Sequence, residues 1–228
     1  MDDLRVGGEE LREALRHLRR LNRIFGASGP ALYGVRTLWG EAGKPGRLTI
    51  LDVGSGSGEL NRRILRWGDR QGMDLKVTLA DVTDEAEAES KRIYRNEPRV
   101  RFEKRSVFEL RHGEADIVTA SQFLHHFPTE ELPAVLDRML AAARIGVVIH
   151  DLHRHWLPWT AVWVAVRCFS RNRCIRHDGP LSVAKGFRGP EFRDLAARLN
   201  GAGLICRWRP LFRYTVTLRK SRTGGRGG

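Results

Sequence analysis

The sequence predicts an α/β domain with a doubly wound, mostly parallel sheet of seven strands, and two observations carry this prediction. First, short apolar runs bounded by turn residues alternate with segments of helical periodicity, as expected for strands buried between crossover helices. Second, the run from Leu48 to Val53 leads directly into glycines at positions 54, 56 and 58 and then into a helical segment. This order lets the backbone approach an adenosine-containing ligand closely, because glycine has no side chain to block it.

The helices are predicted from their capping residues and their apolar periodicity. Asp84 is a typical N-cap for the helix that follows the second strand. Thr129 is another, and the negative charges of Glu130 and Glu131 suit the first turn of a helix. The predicted helices cover residues 9–25, 31–39, 60–67, 84–95, 129–142 and 189–200.

The strands are predicted from the short apolar runs. Most of these runs are separated by a helical segment, which is the arrangement of parallel strands joined by crossovers. The last two runs are separated only by Pro210. The predicted strands cover residues 48–53, 75–80, 99–104, 115–120, 145–149, 204–209 and 211–218.

The glycine spacing separates two classes of nucleotide site. A dinucleotide fingerprint has glycines at relative positions 1, 3 and 6, which would place the third at position 59, where this chain has Glu59. The run is instead Asp-x-Gly-x-Gly-x-Gly, from Asp52 to Gly58. Alone, such a run is weak evidence, since ordinary turns use the same residues.

Three motifs together resemble the class I S-adenosylmethionine (SAM) dependent methyltransferases. The run from Asp52 to Gly58 resembles the first motif of that family. Asp81 ends the second apolar run, where the family has an acid that holds the ribose hydroxyls, and ribose recognition in general uses an acid about 20 residues beyond the glycine turn. Residues 116–127, with Leu-His-His, are similar to the fourth strand and following loop of the members that act on small molecules. Residues 176–182 resemble a segment in methyltransferases of quinone, phenolic-lipid and polyketide tailoring. The resemblance covers roughly residues 45–219, and residues 204–218 resemble the family's terminal antiparallel hairpin.

The resemblance implies SAM as cofactor, S-adenosylhomocysteine as product, and a set of cofactor-binding residues. The glycine turn would form the floor under the cofactor, Asp81 would hold the ribose, and Val82 would lie against the adenine. The chain departs from the family after the third strand, where Ser106 replaces the acid that usually bonds the adenine amino group. Adenine would then be bound by the Ser106 hydroxyl, by backbone groups, or by packing on Val107 and Phe108. The predicted cofactor-binding residues are Asp52, Gly54, Ser55, Gly56, Gly58, Asp81, Val82, Ser106, Val107, Ser121 and Gln122.

Histidines and one aspartate are the candidates for acid–base chemistry. A phenolic hydroxyl has a pKa of about 10, so its methylation gains from a nearby base. The predicted catalytic residues are His125, His126, His150 and Asp151, and Asp151 could alternatively fix a histidine tautomer. The run from His150 to His155 also has ligand types suited to a metal. Alternate positions on a short loop converge only if the backbone folds around them, so no metal site is predicted.

The sheet belongs to a catalytic domain that we expect over residues 45–220. N-terminal helices over residues 1–44 would precede this domain, and a flexible tail over residues 221–228 would follow it. An insertion over residues 152–188 would form a helical lid at the ligand-binding edge of the sheet. Within it, Trp156, Trp159 and Trp163 share one helical face. Such a stripe is typical of core packing; lining a pocket for an aromatic substrate and docking on a membrane surface are the alternatives.

The composition favours a soluble, cytoplasmic protein. The 228 residues carry a net charge of +13, nearly all of it from scattered arginines, which favours solvated faces over a nucleic-acid surface. No apolar stretch approaches the ~18 residues that a membrane span needs, and the N-terminal residues do not resemble a secretory signal. The three cysteines show no Cys-x-x-Cys pairing, so we expect reduced thiols.

The sequence therefore predicts an enzyme of secondary metabolism that methylates a small aromatic or polyketide-like acceptor, at a phenolic or quinol hydroxyl. An RNA methyltransferase and a catalytically silent SAM-binding protein are the alternatives. Against RNA, the loop after the fourth strand reads Thr-Ala-Ser-Gln, without the Asn/Asp-Pro-Pro-aromatic loop of enzymes that methylate base amino groups. The expected partner is a small lipophilic molecule rather than nucleic acid, with weak contact to a membrane surface as an alternative.

Overall fold

A computed structural model describes residues 28–169, 173–199 and 203–220 of the chain. The predicted helix over residues 9–25 and the predicted tail over residues 221–228 lie outside these residues. The strands are β1 (Arg47–Val53), β2 (Asp74–Asp81), β3 (Val100–Lys104), β4 (Ala115–Ser121), β5 (Ala143–Leu152), β6 (Gly203–Arg209) and β7 (Arg213–Arg219). The helices are α1 (Ser28–Glu41), α2 (Asn61–Gln71), α3 (Asp84–Ile93), α4 (Leu132–Ala142), α5 (Trp156–Phe169), α6 (Arg173–Ala184) and α7 (Gly189–Arg198).

Within the described residues, the seven strands form one sheet in the order β3-β2-β1-β4-β5-β7-β6. The first five strands pair in parallel, and β7 runs antiparallel to both β5 and β6. The strand order reverses direction between β1 and β4, and open α/β sheets bind ligands beyond the carboxyl ends of the strands at such a switch point. The predicted doubly wound, mostly parallel sheet is confirmed.

Apolar side chains fill the space on both faces of the sheet. On one face, α1 packs against β4, β5 and β7, and α2 packs against β2; on the other, α4 packs against β4 and β5, and α7 packs against β6. The contact of α1 with the sheet is close, since a Cβ on Gly34 would lie 2.4 Å from Val148. Burial on both faces explains why the central strands are continuous apolar runs in the sequence.

Two helix starts differ from the prediction. Thr83, not Asp84, caps α3, and its hydroxyl accepts a hydrogen bond from the Ala86 N–H at 3.3 Å. Helix α4 begins at Leu132 rather than Thr129 and has a proline in its first turn. The fixed φ of proline favours that position, so the two glutamates at 130 and 131 precede the helix.

Strand β5 is longer than predicted and includes residues expected to follow it. It continues to Leu152, and its last residues pair with β7, with His150 opposite Thr215 and Asp151 opposite Tyr214. The prediction that His150 and Asp151 lie in a loop is therefore wrong. Their polar side chains suggested a loop, but pairing with a strand about 60 residues away keeps them in the sheet.

The predicted insertion contains two helices, α5 and α6, which pack against each other. The side chains of Trp156, Trp159 and Trp163 are exposed, so the interpretation of this stripe as core is wrong. Among the described residues, no helix combines the length and the apolar character needed to cross a membrane. The role of this segment as a lid and the domain boundaries stay predictions.

Candidate cofactor and acceptor site

The loop between β1 and α2 follows a backbone path that suits glycine. Gly54, Gly56 and Gly58 have positive φ angles of 60°, 52° and 69°, which side chains rarely adopt. A Cβ on Gly54 would lie 2.1 Å from the ring of Phe123, whereas a Cβ on Gly56 would meet nothing within 4 Å. Phe123 therefore lies directly on Gly54, and the space beside Gly56 is open.

The end of β2 holds this loop in place. One carboxylate oxygen of Asp81 accepts the Gly56 N–H at 2.8 Å, and the other accepts both the N–H and the hydroxyl of Thr83 at 3.1 and 2.9 Å. The Tyr94 hydroxyl donates to the Gly58 carbonyl at 2.6 Å. These bonds fix the loop before any ligand binds, which lowers the entropy cost of binding.

Asp52 lies beneath the loop and is almost fully buried. Its carboxylate accepts hydrogen bonds from the Asn61 side-chain amide at 2.6 Å and from the Thr119 hydroxyl at 2.7 Å. Burial raises the pKa of Asp52 to about 6, although both hydrogen bonds lower it. Asp52 thus joins β1, β4 and the start of α2, and positions the loop from below.

Two apolar side chains near the loop remain open to solvent. Val82 and Phe108 are 47% and 46% exposed. Val107, which was expected to face the cofactor, is buried in the core. Ser106 caps the short 3-10 turn that follows, and its hydroxyl accepts the Phe108 N–H at 3.4 Å. Phe108, rather than Val107, therefore offers the apolar surface at this position.

His125 and Asp151 form a buried pair across the ends of β4 and β5. The Nδ1 atom of His125 lies 2.7 Å from one oxygen of Asp151, and the other oxygen accepts the Leu124 N–H at 3.0 Å. Burial alone would raise the pKa of Asp151, but the charge and hydrogen bond of His125 and the Leu152 N–H outweigh burial and lower it. The Asp151 carboxylate favours the neutral tautomer of His125 in which Nδ1 carries the proton and donates it to Asp151.

His150 occupies a different environment from His125. It is fully buried, and neither ring nitrogen has a hydrogen-bond partner within the described part of the chain. Burial, followed by the charge of Arg213, lowers the pKa of His150 to about 3. Arg213 is itself buried, which lowers its pKa to about 10. A histidine that stays neutral inside the sheet is a poor candidate for direct contact with an acceptor.

The remaining predicted residues lie around the end of β4. Ser121 and Gln122 are half-buried, and the Gln122 N–H donates to the His150 carbonyl at 2.7 Å. Gln122 has a positive φ of 54°, and strained backbone of this kind clusters at functional sites. His126 is exposed, with its ring centroid 4.2 Å from that of His125.

The histidines that follow β5 pack with aromatic rings. The rings of His153 and His155 stack on Phe212 with centroid separations of 6.0 and 5.1 Å. Across the described ranges, no group of three or more metal-ligating side chains is present.

Several residues of this site were not predicted from the sequence. Asn61 and Thr119 hold Asp52, Tyr94 holds the glycine loop, and Phe123 covers Gly54. A polar residue within an apolar run is the only sequence signal that marks Thr119. The position of Tyr94 depends on how α3 packs, so no local pattern indicates it.

A comparison with protein families finds a match over residues 50–146 to a family described as "Methyltransferase domain". This segment runs from β1 into β5 and contains the glycine loop, Asp81 and His125. No curated protein sequence gives a significant match to the chain.

Solved structures of methyltransferases share the fold. Human N-acetylserotonin methyltransferase in complex with SAM aligns with a TM-score of 0.62 at 14% identity, over 93% of this chain and 56% of its own. A SAM-dependent methyltransferase from Aquifex aeolicus aligns with a TM-score of 0.60 at 17% identity. The alignment covers 91% of this chain and 97% of the Aquifex chain. Magnesium protoporphyrin IX methyltransferase from Synechocystis PCC 6803 with bound SAH aligns with a TM-score of 0.53 at 16% identity, and the alignment covers 82% of each chain. This chain thus spans little more than half the length of the human enzyme. Residues 50–146 are thus similar to a methyltransferase family, and the described chain shares the fold of solved methyltransferases.

Proposed function

We propose that this protein transfers the methyl group of SAM to a hydroxyl of a small aromatic or polyketide-like acceptor. The observation that carries the proposal is the placement of two features at the same edge of the sheet. The glycine loop held by Asp81 follows β1, and the His125–Asp151 pair lies at the ends of β4 and β5. Since β1, β4 and β5 are neighbours in the sheet, both features lie at the carboxyl ends of adjacent parallel strands, where α/β folds bind ligands.

The residues around the glycine loop fit the adenosyl part of SAM. The Ser55 hydroxyl is buried and has no hydrogen-bond partner within the described part of the chain, and an unpaired buried hydroxyl costs free energy that a polar ligand group would recover. The open space beside Gly56 and the exposed apolar surfaces of Val82 and Phe108 suit a ribose and a purine ring. Asp81 supplies the acid at the position where ribose hydroxyls are held.

The bound cofactor would supply a methyl group already activated on a sulfonium. The chain then has to position that group and the acceptor, and exclude water. The loop residues Gly54, Ser55, Gly56 and Gly58 would bind the cofactor together with Asp81, while Ser121 and Gln122 would border its methionine part.

His125 is the residue that we assign as general base. A phenolic hydroxyl must lose its proton as the new bond forms, because it is protonated at neutral pH. The Nε2 lone pair of His125 can accept this proton, and Asp151 stabilises the resulting imidazolium.

The helices α5 and α6 follow β5 and would cover the acceptor. Helix α5 begins at Trp156, shortly after β5 ends at Leu152, at the same edge of the sheet as the His125–Asp151 pair.

Turnover with matched acceptors tests the proposal. The protein is incubated with SAM and a panel of phenols, resorcinols and quinols, each paired with the analogue in which the hydroxyl is already methylated. We expect release of S-adenosylhomocysteine and a methyl ether product from the hydroxyl compounds, and no turnover of the blocked analogues. A carbon-methylated product, or SAM binding without turnover of any acceptor in the panel, would contradict it.

A further inference from the structure

Helix α5 is apolar on both of its faces. On the inner face, Val162 and Val166 pack against α6, where a Cβ on Gly179 would lie 3.3 and 3.2 Å from them. On the outer face, Trp156, Leu157, Trp163 and Val164 are 70%, 44%, 37% and 47% exposed. A helix that is apolar all round normally has both faces covered, so the outer face of α5 is suited to a further partner.

The tip of the β6–β7 hairpin extends this surface. A series of neighbouring rings runs from Trp156 through His155 and Phe212 to Trp208, with centroid separations of 5.8, 5.1 and 6.2 Å. Trp208 and Leu211 are more than half exposed. We call the surface formed by Trp156, Leu157, Trp163, Val164, Trp208 and Leu211 the aromatic patch.

The chain around the aromatic patch is strongly basic. Residues 152–188 contain seven arginines and lysines but one acidic residue, and residues 203–213 contain three arginines and no acid. The guanidinium of Arg167 lies 3.9 Å from the centroid of the Trp163 ring, at the edge of the patch. Arg176 donates a hydrogen bond to the Arg167 carbonyl at 3.2 Å, so a second guanidinium lies nearby.

We propose that the aromatic patch docks on the surface of a lipid bilayer that contains anionic lipids. Tryptophan prefers the boundary between headgroups and acyl chains, and flanking arginines are attracted to anionic headgroups. Helix α5 has 14 residues and is therefore about 21 Å long, shorter than the ~30 Å hydrocarbon core. It would lie in the interface rather than cross it.

Charge also argues against a second copy of this chain as the occupant. Pairing two patches would bring two basic segments together without acidic partners, and like charges repel. An anionic bilayer instead offers complementary charge and an apolar layer below it. The proposal does not depend on the proposed methyl transfer, because binding to lipid needs neither cofactor nor acceptor.

Sedimentation with vesicles tests this proposal on the full-length protein. We expect binding to vesicles of phosphatidylcholine mixed with phosphatidylglycerol, and little binding to phosphatidylcholine alone. Trp156→Ala and Trp163→Ala should each weaken binding about tenfold, and Arg167→Gln about fivefold. Added salt should weaken the binding of the wild-type protein.

Ile205→Ala is the matched control. Ile205 is 41% exposed but lies on the opposite face of β6 from Trp208, since side chains alternate along a strand. The Ile205→Ala variant should bind vesicles as the wild type does. All substituted side chains are exposed, and a thermal unfolding curve for each variant checks that it is folded.

Three results would overturn the proposal. The first is equal binding of the wild type and the tryptophan variants, or equal binding to both kinds of vesicle. The second is a wild-type dimer that Trp163→Ala converts to a monomer, which would assign the patch to a second copy. The third is RNA binding that the same variants abolish while vesicle binding is unchanged.

Discussion

Asp151→Asn is expected to lower kcat for methyl transfer to a phenolic acceptor by about 10²–10⁴-fold, with little change in the affinity for SAM. The carboxylate of Asp151 accepts from His125 and from two backbone N–H groups. An amide of the same shape has no charge to stabilise the imidazolium, and its NH₂ group favours the wrong tautomer of His125. Steady-state kinetics and calorimetric titration with SAM measure the two quantities.

Combining substitutions separates this role from simple destabilisation. We expect His125→Gln to lose about as much activity as Asp151→Asn, and the double variant to lose little more, because residues that act as a unit are non-additive. His126→Gln, on the exposed neighbouring ring, should have a much smaller effect. Losses that multiply in the double variant, or a larger loss for His126→Gln, would contradict the assignment of His125 as the base.

His150 is expected to make the protein sensitive to acid. Its pKa falls from 6.5 to about 3 on folding, so the unfolded chain takes up a proton below pH 6.5 that the folded chain does not. Stability is therefore lost as the pH falls below that value, by about 3 kcal/mol at pH 4. Urea unfolding of the wild type and of His150→Asn at several pH values measures this contribution, and the difference between the two should change as the pH falls.

Asp52 should show the opposite dependence. Its pKa rises on folding, from 3.8 to about 6, so the folded chain binds the extra proton and gains stability as the pH falls from 6 to 4. The pH dependence of the wild-type free energy of unfolding contains the contributions of both His150 and Asp52. Comparison with variants that lack one of the two side chains separates these contributions. A difference between the wild type and His150→Asn that is independent of pH would show that His150 is not held neutral in the folded protein.

Local signals explain why the glycine loop could be predicted from the sequence. The strand, the glycines and the following helix are consecutive, and Asp81 occupies the position that ribose recognition requires. The backbone angles at Gly54, Gly56 and Gly58 agree with the turn that the glycines predict. The parallel order of the strands follows from the same alternation of apolar runs and helices.

Long-range contacts explain what could not be predicted. His150 and Asp151 have the composition of a loop, and only pairing with β7 places them within the sheet. The periodicity of Trp156, Trp159 and Trp163 correctly predicts a helix, but it does not show which face another element covers. Tyr94 and Phe123 reach the glycine loop through tertiary packing, which leaves no periodic signal in the sequence.

Calorimetric titration of SAM into Gly56→Ala and Gly72→Ala tests the central claim, which is that the loop beside Gly56 holds this cofactor. Both glycines have positive φ, 52° and 65°, and a Cβ on either would meet nothing within 4 Å. The two substitutions should therefore cost similar stability, about 1–2 kcal/mol. We predict that Gly56→Ala lowers the affinity for SAM about 100-fold, or roughly 2.7 kcal/mol, because its methyl group takes the space of the ligand, while Gly72→Ala binds as the wild type does. Equal affinity in all three proteins, or a wild type that does not bind SAM, would contradict the account.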